Sequence, residues 1–241
     1  DALAERLGAT LEFGTAGLRG VVGAGPNRMN QAVVTRVARG LAEHLLDRIP
    51  DARALPVVVG HDARLSSPVF AELVVGVLVA AGLRVRYFQQ AVPTPLVAYA
   101  AKQLGAVAAV VVTASHNPAE YNGIKVYAEN AAQLGAPADA QVARRIAAVG
   151  PARAVPRRDA LGSGSDPSAE PVPEALFERY LAELDRVRGG AGGARDLRIV
   201  YTPLHGVGAR FVERALRRAG YTAVDVVPEQ AAPDGRLPTV P

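Results

Sequence analysis

The 241-residue chain contains no cysteine and no tryptophan, and aromatic residues make up only 5% of it. The missing cysteines exclude disulfides and thiolate metal sites, and they fit a reducing, cytoplasmic location. The low aromatic content gives little support to a surface on which nucleic-acid bases could stack. The longest apolar stretch, residues 68–83, is too short to predict a membrane span. The sequence therefore predicts a globular protein with neither a nucleic-acid nor a membrane partner.

Lysine is also scarce: Lys102 and Lys125 are the only lysines, and the rest of the 27 basic residues are arginines. The formal net charge is +4 and the pI is about 9.7. Codon bias in a GC-rich genome explains the arginine excess without any function, whereas an anionic partner is the functional alternative. Composition by itself favours the first explanation.

Apolar runs and helix-start signals alternate along the first half of the chain. Apolar runs predict strands at 55–59, 83–88 and 106–112. Helix starts are indicated by a capping residue or a cap followed by proline, at Asn30, Ser67-Pro68 and Thr94-Pro95. This alternation predicts an α/β fold, a three-layer α/β/α domain built on a mostly parallel sheet.

The second half of the chain begins with a proline-rich stretch, residues 150–173, which predicts a long surface connection. Residues 173–187 then predict an amphipathic helix with five apolar side chains on one face, Leu176, Phe177, Tyr180, Leu181 and Leu184. A further strand, helix and strand are predicted between residues 197 and 227.

Glycines mark the predicted boundary between two domains. We expect a first domain at 1–188, a Gly-rich linker at 189–195 and the beginning of a second, similar α/β domain at 196–241. The chain lacks an initiator methionine and stops soon after the last predicted strand. We therefore expect it to be the amino-terminal part of a longer protein.

The segment Thr113-Ala-Ser-His-Asn-Pro118 carries the strongest chemical signal. It follows a buried strand and precedes a turn and a short strand that contains Lys125. A phosphoryl group on Ser115 would need counter-charge, which Lys125, Arg19 and a bound Mg²⁺ could provide, with His116 as a hydrogen-bond donor. The alternative is that Ser115 and Asn117 only cap a turn before Pro118 and that Lys125 is a surface lysine on an edge strand. The cluster as a whole favours the phosphoryl site.

Three other polar motifs have both a functional and a structural explanation. Residues 13–20, Phe-Gly-Thr-Ala-Gly-Leu-Arg-Gly, form either a phosphate-binding loop or a tight turn with a solvated arginine. The motif at 61–64, His-Asp-Ala-Arg, either positions neighbouring loops by ion pairing or holds nothing in particular, and a structural role is favoured. His205, in a Gly-flanked loop that opens a helix, either binds phosphate or has a structural role.

At these motifs the chain resembles the α-D-phosphohexomutase superfamily. Residues 113–118, followed by Tyr121-Asn-Gly-Ile-Lys-Val-Tyr127, resemble its phosphoserine loop, and residues 13–20 resemble its amino-terminal loop. Residues 25–30 and 202–208 are closer to the phosphoglucomutase/phosphopentomutase branch than to the bacterial phosphoglucosamine mutases.

The resemblance implies an isomerase that moves a phosphoryl group between C1 and C6 of a hexose, or C5 of a pentose, through a phosphoserine and a bound bisphosphate. It implies four catalytic residues, Ser115, Lys125, Arg19 and His116. It implies six residues that bind substrate or phosphate, Thr15, Gly17, Asn117, Tyr121, Asn122 and His205. The implied cofactors are Mg²⁺, with a phosphate oxygen on Ser115 as one ligand, and hexose 1,6-bisphosphate as activator and intermediate.

The resemblance also implies a four-domain protein whose Asp-rich metal loop lies beyond Pro241, so we expect the chain alone to have little or no mutase activity. The substrate is a sugar monophosphate, and glucose, mannose, ribose and deoxyribose phosphates stay open, as does the oligomeric state. The alternative is a noncatalytic sugar-phosphate-binding or regulatory fragment on the same scaffold. A serine hydrolase is disfavoured because Ser115 and His116 are adjacent, which predicts diverging side chains, and no Gly-x-Ser-x-Gly motif occurs.

Overall fold

The computed structural model describes residues 2–161, 166–189 and 193–240. The first part of the chain builds a six-stranded sheet with its helices. Its elements are α1 (Ala2–Leu7), β1 (Leu18–Val21), α2 (Gln31–Arg48), β2 (Pro56–His61), α3 (Ser67–Ala80), β3 (Arg84–Tyr87), α4 (Thr94–Gln103), β4 (Ala108–Val112), β5 (Tyr121–Tyr127), α5 (Ala138–Ala148), a 3-10 turn (Ala152–Ala154), β6 (Ala169–Pro171) and α6 (Ala175–Arg188).

The strand order of this sheet is β1-β5-β4-β2-β3-β6. Strands β4, β2, β3 and β6 pair in parallel, whereas β5 runs antiparallel to both β4 and β1. The mostly parallel sheet predicted from the sequence is confirmed. The strand with Lys125 is an interior strand, however, because β1 covers its outer side, so the edge-strand alternative was wrong.

Apolar side chains cover both faces of the sheet, as the all-buried strand β4 requires. Val110 and Val112 point to a core formed with α2 and α3, and Ala109 and Val111 point to a second core formed with α4 and α6. These two cores make the three layers of the predicted α/β/α domain.

The amphipathic helix predicted at 173–187 is α6, and it joins the two parts of the chain. Leu176, Phe177 and Leu181 are buried, as its apolar face predicts, whereas Leu184 is exposed. The Phe177 ring packs edge-to-face on Phe211, with ring centroids 4.8 Å apart. Such a pair adds about 0.5–1.5 kcal/mol to the burial of its surface.

The second part of the chain forms a small parallel pair of strands with two helices. Its elements are β7 (Ile199–Tyr201), α7 (Ala209–Arg218), β8 (Val224–Val226) and α8 (Pro228–Ala231). The helical spacing of α7 predicts four inward residues, Phe211, Val212, Ala215 and Leu216. Phe211 and Ala215 pack on the α4/α6 core, and no residue of the helix is fully buried. The predicted 189–195 linker lies partly outside the described residues, and the domain boundaries stay predictions.

No helix within the described residues is long and apolar enough to cross a membrane.

Asn30 fixes the start of α2, as the sequence predicts. Its side chain accepts a hydrogen bond from the Val33 N–H at 3.0 Å and donates to the carbonyls of Gly23, Gly25 and Arg28. We expect Asn30→Ala to lower the free energy of unfolding by about 1–2 kcal/mol, because it removes a helix cap and the side-chain donor that three loop carbonyls share. Gln31→Ala, at the exposed first position of the same helix, is the control. Equal unfolding midpoints for the two variants in urea would contradict this role.

Candidate functional site

Ser115 lies in the loop that joins β4 to β5, at the carboxyl end of a central strand. Its backbone adopts a left-handed conformation, with φ of 57°, which costs a non-glycine residue about 1–2 kcal/mol. The Ser115 N–H donates to the Thr113 hydroxyl oxygen at 2.9 Å, and the serine side chain is exposed. The loop therefore holds a strained serine outward, at the edge of the sheet where open α/β folds bind ligands.

Arg64 holds this loop in place from the neighbouring strand end. One terminal nitrogen donates to the carbonyls of Pro118 and Tyr121 at 2.7 and 2.9 Å. The other donates to the carbonyls of Asn117 and Ser115 at 2.6 and 3.2 Å. The planar guanidinium fork thus bonds four carbonyls of one loop, which a lysine could not do in the same geometry.

The charge of Arg64 is balanced by Asp62, whose carboxylate lies 3.3 Å from the guanidinium Nε. Burial lowers the pKa of Arg64, whereas Asp62 raises it. Asp62 also accepts hydrogen bonds from the Ser67 hydroxyl at 2.6 Å and from the Arg64 N–H at 3.0 Å. The loop-positioning role that the sequence suggested for residues 61–64 is therefore visible in the contacts of Arg64.

Arg19 reaches the serine loop through Asn117. Its Nη1 atom donates to the Asn117 side-chain oxygen at 2.8 Å. On the sheet, Arg19 pairs in register with Gly123, whose carbonyl accepts a hydrogen bond from the Thr113 N–H at 3.0 Å. Arg19 on β1 and Thr113 at the end of β4 are therefore neighbours of the same residue of β5, Gly123, which lies between them in the sheet.

Lys125 lies two residues beyond Gly123 on β5, on the same face of the sheet as Arg19. It is half-buried, and its ammonium makes no hydrogen bond or ion pair within the described residues. Burial, and then the positive charge of Arg19, lower the pKa of Lys125. The positive charge of Arg19 thus acts on Lys125, and within the described residues no anion is bonded to either side chain, which is an arrangement suited to bind one. Neither side chain is among those that line the cavity described below.

The glycine-rich motif at 13–20 is a tight turn that leads into β1. Gly14 and Gly17 exchange backbone hydrogen bonds of 3.1 and 2.8 Å. Gly17 has φ of 82°, and a Cβ there would lie 2.0 Å from the Ile124 carbonyl oxygen, so only glycine fits. The turn exposes Thr15, whose carbonyl accepts from the Gln133 side chain. The motif brings Arg19 against β5, and it does not place Thr15 or Gly17 on the cavity described below.

Asn122 is fully buried, and its side chain is committed to structure. It donates to the hydroxyls of Ser66 and Ser67 at 2.7 and 2.9 Å and accepts from the Gly123 N–H at 2.7 Å. Tyr121 is half-buried, and its carbonyl is one of those bonded by Arg64. The Asn122 side chain and the Tyr121 carbonyl therefore maintain the conformation of the loop, and the Asn122 amide does not lie on an open surface.

A cavity of about 400 Å³ lies between the serine loop and loops of the second sheet. Ser115, His116 and Asn117 line one side of it, and the other side is lined by residues 203–207 and, from the loop 234–240, by Asp234, Gly235, Leu237 and Val240. Gly235 makes this approach close, because a Cβ there would lie 2.6–2.8 Å from the backbone of residues 63–65. The second loop, 234–240, was not singled out from the sequence, although Asp234-Gly235 is a turn signal.

His205 lines this cavity and is itself buried. Its Nε2 atom lies 2.8 Å from the Thr239 hydroxyl oxygen, and its backbone bonds Gln230 and Asp234. Leu204 and His205 both have a positive φ, of 50° and 59°. The histidine thus holds together the two loops that face Ser115, which is a structural role, and phosphate binding by His205 stays a prediction.

The side chains of Ser115 and His116 do not diverge, contrary to expectation for neighbours. The serine Oγ lies 3.4 Å from His116 Nδ1. Both side chains are exposed, and His116 has no carboxylate partner within the described part of the chain. A long contact to an imidazole that nothing orients does not activate a serine as in a hydrolase triad.

The described residues do not assemble a Mg²⁺ site. They contain no group of three histidines, aspartates or glutamates that could hold a metal. Asp62 is committed to Arg64 and Ser67, and Asp234 forms a 3.0 Å ion pair with Arg236. Mg²⁺ prefers six oxygen ligands in near-octahedral geometry, and the carboxylates of the described residues do not supply that set.

Comparisons with known proteins agree with this fold. The family models "Phosphoglucomutase/phosphomannomutase, alpha/beta/alpha domain I" and "domain II" match residues 10–152 and 178–241. The phosphoglucomutase of Staphylococcus epidermidis is 36% identical over 237 residues, which cover 98% of this chain and 42% of that protein. The phosphopentomutase of Homo sapiens is 32% identical over 248 residues, which cover 100% of this chain and 40% of that protein.

A solved structure shares the same architecture. The phosphoglucomutase/phosphomannomutase family protein from Burkholderia thailandensis matches with a TM-score of 0.69 at 25% identity, over 95% of this chain and 45% of that one. The chain spans about two fifths of the length of the curated relatives it matches. With its domain I match covering more than half of the sequence, the chain belongs to the phosphoglucomutase/phosphomannomutase family, within the α-D-phosphohexomutase superfamily.

Proposed function

We propose that Ser115 carries the phosphoryl group in a phosphosugar mutase of which this chain is part. The observation that carries the proposal is the position of Ser115, which the Arg64 contacts hold outward in a left-handed conformation on a cavity between the two sheets. The relatives named above are mutases, which places the family among the isomerases. We assign the protein to the cytoplasm as part of the same proposal.

In the proposed first step, the Oγ–P bond of phosphorylated Ser115 breaks and a bond forms between phosphorus and a hydroxyl oxygen of the sugar monophosphate. The hydroxyl proton leaves, and the serine oxygen receives one. In the second step the resulting bisphosphate, after reorienting, returns its other phosphoryl group to Ser115. The net result is an isomerised sugar monophosphate, with hexose 1,6-bisphosphate as intermediate and activator.

Arg19 and Lys125 supply the positive charge that this transfer needs. The transferring group spreads negative charge over three oxygens, and fixed cations stabilise it without having to reorganise. The lowered pKa of Lys125 makes it the residue suited to exchange a proton with the sugar hydroxyl or the serine oxygen. His116 and Asn117 orient the phosphoserine, and Asn117 also links it to Arg19.

The remaining assigned groups contribute to binding. Thr15 and Gly17 set the turn that delivers Arg19, Tyr121 and Asn122 fix the end of the serine loop, and His205 positions the opposite wall of the cavity. A phosphate oxygen on Ser115 is the one Mg²⁺ ligand that we assign to this chain. The metal would neutralise charge on the phosphoryl group during transfer.

The test is peptide mass spectrometry of the natural protein, before and after incubation with glucose 1,6-bisphosphate and Mg²⁺. We expect a phosphoryl group on Ser115 that transfers to glucose 6-phosphate, and we expect Ser115→Ala to abolish it. Ser168→Ala, a serine outside the cavity, is the control. Absence of phosphate on Ser115 under both conditions would remove the phosphoserine mechanism and leave the noncatalytic sugar-phosphate-binding alternative. The purified 241-residue chain is expected to show little or no turnover by itself.

A further inference from the structure

A second cleft, of about 640 Å³, lies on the other side of the sheet from α4 and α6, between α2 and α5. The two helices pack antiparallel and closely, because Gly40 on α2 leaves room for the backbone of Ile146 on α5. The lining residues are mostly polar or charged, His44, Asp47, Arg48, Gln141, Arg144, Arg145 and Ala148. None of them belongs to the Ser115 site.

Charge in this cleft is unbalanced. Arg145 forms an ion pair with Asp47. Arg48 and Arg144 are exposed and make no ion pair or hydrogen bond within the described residues. Two guanidinium groups without partners, one on each wall, therefore face an open volume of the size that small ligands occupy.

His44 provides a second, independent observation. The residue is 8% exposed, and its ring makes no hydrogen bond or ion pair within the described residues. Within the described residues, every side-chain nitrogen or oxygen that is fully sealed from solvent has a hydrogen-bond partner. Because the ring nitrogens of His44 have no partner, they are not sealed, and they open onto the cleft that His44 lines. Such a nearly buried imidazole, at the base of an arginine-lined cleft, can donate a hydrogen bond to a ligand that binds there.

We propose that the α2/α5 cleft binds a small polyanion with two phosphate groups, held by Arg48 and Arg144 from the two walls and by His44 from the base. Each guanidinium can bond a phosphate through two parallel N–H groups. The volume accommodates a bisphosphorylated metabolite, and inorganic pyrophosphate is its simplest form. The proposal is independent of phosphoryl transfer at Ser115.

Proton uptake should accompany binding. Burial, followed by the charges of Arg48 and Arg145, lowers the pKa of His44, against weaker opposite effects of Asp47 and Glu129. Arg144 also lines the cleft. A bound dianion raises the pKa of the imidazole, because it stabilises the protonated form. Affinity should therefore increase as the pH falls through the pKa of His44 in the complex.

The experiment is a pyrophosphate titration followed through the imidazole resonances in proton NMR spectra. The chain has only four histidines, and the spectrum of His44→Asn identifies the His44 signal. We expect this signal to shift saturably and its titration midpoint to move to higher pH. In the double variant R48Q/R144Q the affinity should fall about tenfold or more, since hydrogen bonds to charged groups are lost.

Arg179→Gln is the matched control, because Arg179 is an exposed arginine on α6 that has no ion-pair partner among the described residues and does not line the cleft. The signals of His61, His116 and His205 report whether each variant is folded and whether pyrophosphate binds elsewhere. A His44 signal that does not move at millimolar pyrophosphate would overturn the proposal, and so would equal affinity in R48Q/R144Q and the wild type. A repeat with glucose 1,6-bisphosphate separates the sources of the diphosphate: tighter binding than pyrophosphate identifies an organic metabolite, and weaker binding identifies the inorganic ion.

Discussion

Arg64→Met is expected to destabilise the protein by about 3–5 kcal/mol and to slow phosphoryl transfer from Ser115 by about 100-fold or more. The side chain of Arg64 is only 8% exposed and bonds four carbonyls of the serine loop. Methionine fills a similar volume, but it removes the guanidinium donor from these four carbonyls and the ion-pair partner from Asp62. The strained conformation of Ser115 then loses the contacts that maintain it, and the serine moves from its position on the cavity.

The measurements are urea unfolding and the rate at which phosphate leaves Ser115 in the presence of glucose 6-phosphate. Arg53→Met is the control, because Arg53 is an exposed arginine that also donates to backbone carbonyls, those of Ala81 and Gly82. Arg64→Lys keeps the charge and loses the planar fork, so we expect an intermediate rate. If Arg64→Met is folded at the assay temperature and transfers phosphate at the wild-type rate, the loop does not depend on this residue.

The elements of the first sheet could be predicted because their sequences carry local signals. Asn30, Ser67-Pro68 and Thr94-Pro95 mark helix starts, and the structure begins α2, α3 and α4 within one residue of these signals. Helix α5 was missed because its apolar positions are mostly alanines, with Val142 and Ile146 as its only larger apolar residues, and only Val142 is fully buried. Strands β1 and β6 were missed because they are four and three residues long, too short to show a period.

The candidate site was located by its residue types, but its geometry depends on contacts between distant residues. Arg64 bonds carbonyls that lie more than 50 positions away, and no local pattern indicates that. The burial of Asn122, in contrast, could have been predicted. Side chains alternate along a strand, so Asn122 shares a face with the buried Ile124 and Val126 rather than with Lys125.

The second site in the molecule, the α2/α5 cleft, shows the same limit. The helical spacing of α2 predicts that His44 lies near the core face, beside Leu41 and Leu45. That it faces arginines of α5 follows only from the packing of two helices about a hundred residues apart. Sequence patterns assign faces to single elements, whereas the partners of those faces are set by the topology.

Lys125→Met is expected to slow phosphoryl transfer from Ser115 by about 100- to 1,000-fold while making the fold equally or more stable. Lys125 is half-buried, carries no counter-ion within the described residues, and lies near Arg19. The folded state therefore disfavours its charge, which is why its pKa is lowered. A methionine removes that unfavourable charge, but it also removes the charge that would face the transferring phosphoryl group.

The sign of the pH effect follows from this lowered pKa. Because the folded pKa lies below the unfolded one, the charge destabilises the fold fully below the folded pKa, and the effect disappears above the ordinary lysine pKa. The stability gain of Lys125→Met should therefore be present at neutral pH and fade as the pH rises towards that of an unperturbed lysine. Lys102→Met, the other lysine of the chain, should change neither the transfer rate nor this pH dependence.

Opposite changes in stability and transfer rate separate a functional lysine from a structural one. Replacing a structural residue lowers the stability and the activity of the protein together. Replacing a charge that the folded state disfavours lowers the activity alone. Phosphate on Ser115 should in turn raise the pKa of Lys125, which the NMR signals of the two ¹³C-methylated lysines would show. If Lys125→Met lowered stability as much as activity, or if its pKa were unaffected by phosphorylation, Lys125 would not act on the phosphoryl group.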